Sequence, residues 1–253
     1  MNSSRGTKFS TAYGLLGMAF VLVLLSSPIV YGSGTTAITK MNTNYAAGYI
    51  GSVVSGDISK LTVNFVVPTV ACQSSLPEAQ TVGVVVTLAG VSGLSFLLNQ
   101  NTICDQGSSS PRYVALFTVC STSCNGNGFP LTLTSGDKLS YLLAINLVTN
   151  KVVATLTDVT TGQKASYSVV QPGANTMTTA YWFIEGGQAL TQFVHPITFS
   201  NCHIVVGGVK EPISSLTGLS QYNLVDGSNN LMAKTSALSA SGTSFKVTFV
   251  SST

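Results

Sequence analysis

The sequence predicts an all-β protein: an antiparallel sandwich of two packed sheets, of jelly-roll type, preceded by an N-terminal signal or anchor helix. Three observations carry this expectation. Ser, Thr, Val, Gly and Asn dominate the composition, and these residues favour strands and turns over helices. Segments of alternating apolar and polar residues recur along the chain, separated by short turn signals. Outside the N-terminus no segment sustains a helical period, and no internal repeat or linker is evident.

Taken in order, the first element is the leader. Arg5 and Lys8 form a positive segment, Ala12 to Leu25 is apolar, Ser26-Ser27-Pro28 breaks the helix, and Gly32-Ser33-Gly34 offers small residues for cleavage. Residues 1–34 therefore read as a secretory signal, or as an uncleaved anchor, since Ala12 to Tyr31 is nearly long enough to span a bilayer. The sandwich is expected over residues 44–253. Its first clear strand is Ser59 to Val67, with Leu61, Val63, Phe65 and Val67 on one face and Pro68 as its stop. Further strands are expected at Val82 to Leu88, Leu94 to Leu98, Tyr113 to Val119, Lys138 to Leu147, Val152 to Asp158, Lys164 to Val170, Thr178 to Glu185, Val194 to Phe199 and Ser244 to Val250. Ser135-Gly136-Asp137, Thr149-Asn150, Pro172-Gly173 and Asp226-Gly227 mark turns. Lys151 to Asp158, the turn Thr160-Thr161-Gly162 and Gln163 to Val170 form a clear hairpin.

Charge narrows the partners. Only 8% of the residues are charged, against about a quarter in ordinary domains. Setting Arg5 and Lys8 aside from the eleven basic residues leaves nine against eight acidic ones. No basic surface for nucleic acid and no acidic tail is expected, and membrane contact is confined to the N-terminal segment. A surface of hydroxyls and amides changes its charge little on acidification, which suits an acidic exterior. Five cysteines, Cys72, Cys104, Cys120, Cys124 and Cys202, agree with export and leave one thiol over or paired between chains. Cys120 and Cys124 flank a short loop that continues through Asn125-Gly126-Asn127-Gly128, and a small disulfide is expected across it. Neither His195 nor His203 has zinc-ligand spacing to that pair, so no metal is expected.

Among eight acids, most beside Gly, Pro, Ser or Lys, Glu185 stands out by following an aromatic strand. It ends Thr178-Thr179-Ala180-Tyr181-Trp182-Phe183-Ile184-Glu185, a strand of aromatic and β-branched residues. Alternation puts Tyr181, Phe183 and Glu185 on one face and Ala180, Trp182 and Ile184 on the other. A carboxyl among aromatic rings is desolvated, and its pKa rises. The plainer alternative is that Glu185 ends the strand at the Gly186-Gly187 turn and points into water. The rest of the chemistry is thin: no phosphate loop, no His-Glu zinc motif, no Ser nucleophile in an elbow, and no paired strand carboxylates for glycoside hydrolysis.

The order of motifs resembles the glutamic peptidases, or eqolisins, secreted acid proteases built as a concanavalin-like sandwich of two long sheets. Their Asn-Trp-x-Gly opening corresponds to Asn44-Tyr45-Ala46-Ala47-Gly48-Tyr49, and their Val-Pro strand to Leu61 through Val67-Pro68. Their Trp-Val-Gly-Ile-x-Gly and Ile-Leu-Gln segments correspond to Val85-Val86-Thr87-Leu88-Ala89-Gly90 and Leu97-Leu98-Asn99-Gln100. Gly136-Asp137, Thr160-Thr161-Gly162-Gln163, Phe193 to Phe199 and Ser244-Phe245-Lys246-Val247-Thr248 follow in the family's order. The Ala-Glu-(Trp/Phe)-Ile-(Val/Ile)-Glu strand falls on Ala180 to Glu185. The resemblance covers nearly everything after Asn44.

It implies a catalytic Glu and a catalytic Gln. The Glu is Glu185, which would activate a water and then protonate the leaving amine. The amide would hold that water and bind the developing oxyanion. Counting without a gap puts Asn99 at the Gln position; side-chain length favours Gln100. Neighbours on a strand face opposite ways, so only one can serve unless a bulge shifts the register. Tyr181, Phe183 and Val85 are the expected substrate-binding side chains. Val85 stands where the family has Trp, Ala89 where it has an acid, Tyr181 where it has the first Glu, and Ala115-Leu116-Phe117-Thr118 where it has Ala-Trp-Tyr-Glu. The expected function is a secreted acid endopeptidase acting on extended polypeptide, without a cofactor. The alternative is a noncatalytic extracellular sandwich that binds protein or glycan, or belongs to a cell-surface assembly.

Overall fold

The structure, a computed structural model, describes residues 38–73, 79–186 and 190–251. The leader of residues 1–34, with its expected helix, lies outside the described residues. Eighteen strands follow one another: β1 (Thr39–Thr43), β2 (Ala46–Ser52), β3 (Ile58–Val66), β4 (Val70–Ala71), β5 (Gln80–Gly90), β6 (Ser95–Cys104), β7 (Arg112–Cys120), β8 (Cys124–Gly128) and β9 (Lys138–Asn146). The second half continues with β10 (Lys151–Asp158), β11 (Lys164–Val170), β12 (Met177–Gly186), β13 (Gln192–Phe193), β14 (Ile197–Val206), β15 (Val209–Pro212), β16 (Thr217–Val225), β17 (Leu231–Thr235) and β18 (Phe245–Phe249). Among the described residues the only helical pieces are two three-residue 3-10 turns.

The strands form two layers that face each other. One layer runs β16-β2-β12-β5-β6-β7-β8, the other β11-β10-β9-β3-β14, and β18 and β17 carry the hydrogen bonding from β14 round to β16. Pairing is antiparallel almost throughout; β1 is the exception, lying parallel to β16. Both layers turn their apolar faces inward. Leu61, Val63, Phe65, Tyr141, Val152 and Leu156 of one meet Tyr49, Val84, Val86, Phe96, Leu98, Phe117 and Trp182 of the other in a single core. Trp182 is fully buried at its centre, and truncating such a residue to Ala costs about 3–5 kcal/mol. Two acids fix turns: Asp137 accepts from the Thr134 N–H at 2.6 Å, and Asp158, at the end of β10, from the Thr160 N–H at 2.9 Å.

Several strands depart from the pattern expected of the sequence. β6 does not stop at Leu98 but continues to Cys104, so Asn99, Gln100, Asn101 and Thr102 are strand residues rather than a polar turn. Asn125 to Gly128, expected as loop, pairs with β7 as β8. The strand expected at Val194 to Phe199 begins only after Pro196, at Ile197, and runs on to Val206 as β14. β2 carries Gly48 and Gly51 and looks too glycine-rich for a strand. Both glycines answer to close packing. A methyl on Gly48 would lie 2.2 Å from the Trp182 carbonyl oxygen, and one on Gly51 2.7 Å from Leu216 Cβ. The absence of side chains lets β2 pack tightly beside β12.

Two disulfides form, Cys72–Cys104 and Cys120–Cys124, and Cys202 remains a buried thiol. The Cys120–Cys124 link staples the β7–β8 turn.

Candidate active site

Glu185 sits near the end of β12, a central strand flanked by β2 and β5. Alternation sends Ala180, Trp182 and Ile184 into the core and leaves Tyr181, Phe183 and Glu185 on the outer face of the layer, as expected. On β5 that outer face carries Gly83, Val85 and Ala89, and on β6 it carries Leu97, Asn99 and Asn101. Two cross-strand rows define the site. Phe183, Val85 and Asn99 lie abreast, and Glu185, Gly83 and Asn101 lie abreast in the next row.

Asn99 reaches diagonally between the rows. Its Nδ2 donates to Glu185 Oε1 at 2.9 Å. That contact is available because the intervening residue, Gly83, has no side chain. A methyl there would lie 2.9 Å from Glu185 Cγ, 3.1 Å from Asn99 Oδ1 and 2.8 Å from Asn101 Oδ1. Three polar side chains thus lean over one bare glycine. Glu185 is half-buried; burial pushes its carboxyl above the usual range, and the Asn99 hydrogen bond pulls the other way. Asn99 Oδ1 is buried and makes no hydrogen bond to the protein. An unpartnered buried amide oxygen beside a desolvated carboxyl is costly unless something polar joins it.

Of the two expected amides, the structure places Asn99 beside Glu185 and turns Gln100, the preferred one, away from it. The β5–β6 and β6–β7 registers run without a bulge, so Gln100 alternates to the core side. It is 0% exposed, and its Nε2 donates to Thr102 Oγ1 at 3.3 Å. Strand parity, not side-chain length, sets which of the two amides faces Glu185.

Phe183 and Val85 occupy the row next to Glu185 and Tyr181 the row beyond it, and all three are packed rather than open. They are 2%, 1% and 5% exposed and form a small apolar cluster with Ala46, Ala89, Leu97 and Cys120. The Tyr181 and Phe183 rings meet edge-on, 6.3 Å between centroids at 75°. Burial, with Tyr222 adding to it, pushes the Tyr181 phenol up to about 12, so it stays a neutral donor. Among the described residues no three His, Cys, Asp or Glu side chains come together as a metal site, and Cys120 and Cys124 are bonded to each other. Sequence reasoning missed Gly83 and Asn101. The available signals were a glycine inside an otherwise β-branched strand and the Asn-x-Asn alternation of Asn99 and Asn101.

With this geometry in hand, the comparisons are specific. The model of the peptidase A4 family matches residues 44–249. Scytalido-glutamic peptidase, solved with a transition-state analogue inhibitor, superposes with a TM-score of 0.60 at 19% identity, covering 82% of this chain and 98% of that one. SCP-B, an eqolisin in complex with the tripeptide Ala-Ile-His, gives 0.56 at 18% identity, covering 81% and 100%. Aspergilloglutamic peptidase from Aspergillus niger gives 0.52 at 21% identity, covering 67% and 99%. At these identities the structural likeness speaks for the fold. No curated protein sequence matches significantly. The match of the family model over most of the chain is what assigns it: the chain belongs to the peptidase A4 family, the glutamic peptidases.

Proposed function

We propose that the chain is a secreted acid endopeptidase, on a sandwich of jelly-roll, concanavalin-like type, that cleaves extended polypeptide with a water activated by Glu185. The observation that carries this reading is the 2.9 Å bond from Asn99 Nδ2 to Glu185 Oε1. It joins Glu185 to Asn99, the one of the two candidate amides that shares its face of the layer. Ionised Glu185 takes a proton from water as the oxygen bonds to the scissile carbonyl carbon. The protonated Glu185 then gives that proton to the amide nitrogen, the C–N bond breaks, and a carboxylic acid and an amine leave. The amide groups over Gly83 hold the water and stabilise the oxyanion of the tetrahedral intermediate.

Export is supported by the leader-like segment of residues 1–34 and by two disulfides, which persist in oxidising compartments. Work at acid pH is supported by the low charge. Among the described residues the only ion pair is Arg112–Asp105, exposed at 3.2 Å, so acidification breaks little. A second reading has one observation in its favour: the near-complete burial of Tyr181, Phe183 and Val85 suits a sandwich retained for binding or for a structural role.

The deciding experiment is digestion of an unfolded protein substrate across acidic pH by purified protein. Cleavage that withstands chelators and serine or cysteine reagents, and disappears in Glu185→Gln, is the expected result. A wild type that cleaves nothing at any acidic pH gives way to the second reading, and undiminished activity in Glu185→Gln rejects the assignment of Glu185.

A further inference from the structure

We infer that the site divides its amide chemistry between two asparagines: Asn99 positions Glu185, and Asn101 is the catalytic donor to the oxyanion. This rests on the peptidase reading and adds a residue that the family resemblance does not supply.

The geometry begins with strand parity. Asn99 and Asn101 are two apart on β6, so both project to the outer face, and Asn101 shares a cross-strand row with Gly83 and Glu185. Gly83 leaves nothing between Asn101 and Glu185. The point where its side chain would begin lies 2.8 Å from Asn101 Oδ1 and 2.9 Å from Glu185 Cγ. Asn101 therefore faces the general base directly across the strand.

The two amides differ in what they are free to do. Asn99 has its NH2 held by the Glu185 carboxylate, and that bond fixes the direction of the whole amide. Its unpartnered Oδ1 is turned toward the Gly83 cup, 3.1 Å from the same reference point. The second N–H of the Asn99 amide is free, but the bond to Glu185 sets its direction, so it cannot be turned toward the oxyanion without releasing the base. Asn101 is half-buried and enters no side-chain hydrogen bond among the described residues. Its amide turns about the Cβ–Cγ bond and presents NH2 over the same cup. An asparagine is also one methylene shorter than the glutamine that the family pattern has at the Asn99 position. A second asparagine on the same face, one row along, restores the reach.

The test compares Asn101→Ala, Asn101→Leu and Asn99→Ala with wild type and Glu185→Gln, reading kcat, KM and the pH profile alongside thermal unfolding. Asn101→Ala is expected to lower kcat about a hundredfold or more, with KM and the acid limb of the profile little changed. Asn101→Leu keeps the volume without the donor and is expected to be equally slow. Asn99→Ala removes the hydrogen bond that lowers the Glu185 pKa, so its acid limb is expected to move to higher pH. Wild-type kcat in Asn101→Ala overturns the inference. Recovery in Asn101→Leu does the same, since the loss would then be one of packing. If Glu185→Gln keeps activity, or the wild type has none, the peptidase reading itself falls, a result distinct from either Asn101 outcome.

Discussion

Replacing Gly83 with Ala is the sharpest perturbation the site offers, because it adds one carbon and changes no charge. That carbon would sit 2.8 Å from Asn101 Oδ1, 2.9 Å from Glu185 Cγ and 3.1 Å from Asn99 Oδ1, all inside ordinary contact distance. Relief requires the three side chains to part by roughly half an ångström, which is enough to spoil hydrogen-bond geometry at these separations. The 2.9 Å bond between Asn99 and Glu185 is the first casualty. A hydrogen bond to a charged group is worth about 1.5–3 kcal/mol, and misplacing an oxyanion donor costs about a hundredfold in rate or more. These overlap, so kcat/KM is expected to fall about a hundredfold rather than by the product. The fold is spared. Gly83 is not among the glycines with positive φ, the crowded atoms are side-chain ends, and Gly→Ala restricts the unfolded chain by about 0.4–1 kcal/mol in favour of folding. Stability is therefore expected to change by no more than about 1 kcal/mol. Steady-state kinetics across acidic pH, with thermal unfolding on the same samples, decides it. Unchanged kcat/KM would refute the reasoning, and so would a loss of activity matched by collapse of the unfolding transition.

Two further outcomes follow from the same structure. Burial raises the Glu185 pKa in the folded state, so its contribution to stability is fully present below the unfolded glutamate pKa and is lost as pH rises through the folded value. Glu185→Gln is accordingly expected to raise Tm toward neutral pH, with the gap to wild type closing on acidification; a gap constant with pH contradicts the burial argument. The disulfides differ in the loop they close, 32 positions apart for Cys72–Cys104 and 4 for Cys120–Cys124. Double Ser replacement is expected to cost about 3–4 kcal/mol at the first and about 2 kcal/mol at the second by chain entropy, measured by denaturant unfolding, and the reverse order would show that native strain dominates.

The long strands were legible because their faces differ. β3, β9, β10, β11 and β12 alternate or bound themselves with turn residues, and their observed limits fall within a residue or two of those expected. Two strands that escaped notice lack that contrast. β2 is Ala-Ala-Gly-Tyr-Ile-Gly-Ser and is stabilised by what its glycines admit, namely β12 and Leu216. β8 is Cys-Asn-Gly-Asn-Gly, which reads as a turn until its pairing with β7 is known. The site shows the same division. Glu185 stood out because an acid on an aromatic strand is locally anomalous. The choice between Asn99 and Gln100 depended on the absence of a bulge in β6, a property of its pairing with β5 and β7. Gly83 and Asn101 acquire meaning only from the cross-strand row that joins them to Glu185.

The placement of β12 bears on how the molecule is made. The amides reside on β6 and the acid on β12, 86 positions later for the bonded pair, while the strand beside β12, β2, pairs in turn with β16 near the other end of the fold. At a synthesis rate of about 5–20 residues per second, the amides emerge many seconds before the acid does. No shorter stretch of chain contains a working pair, and contacts this distant in sequence are slow to form. On the proposed reading a growing chain therefore carries the amides without the acid, and the pair is completed only when β12 adds to β5.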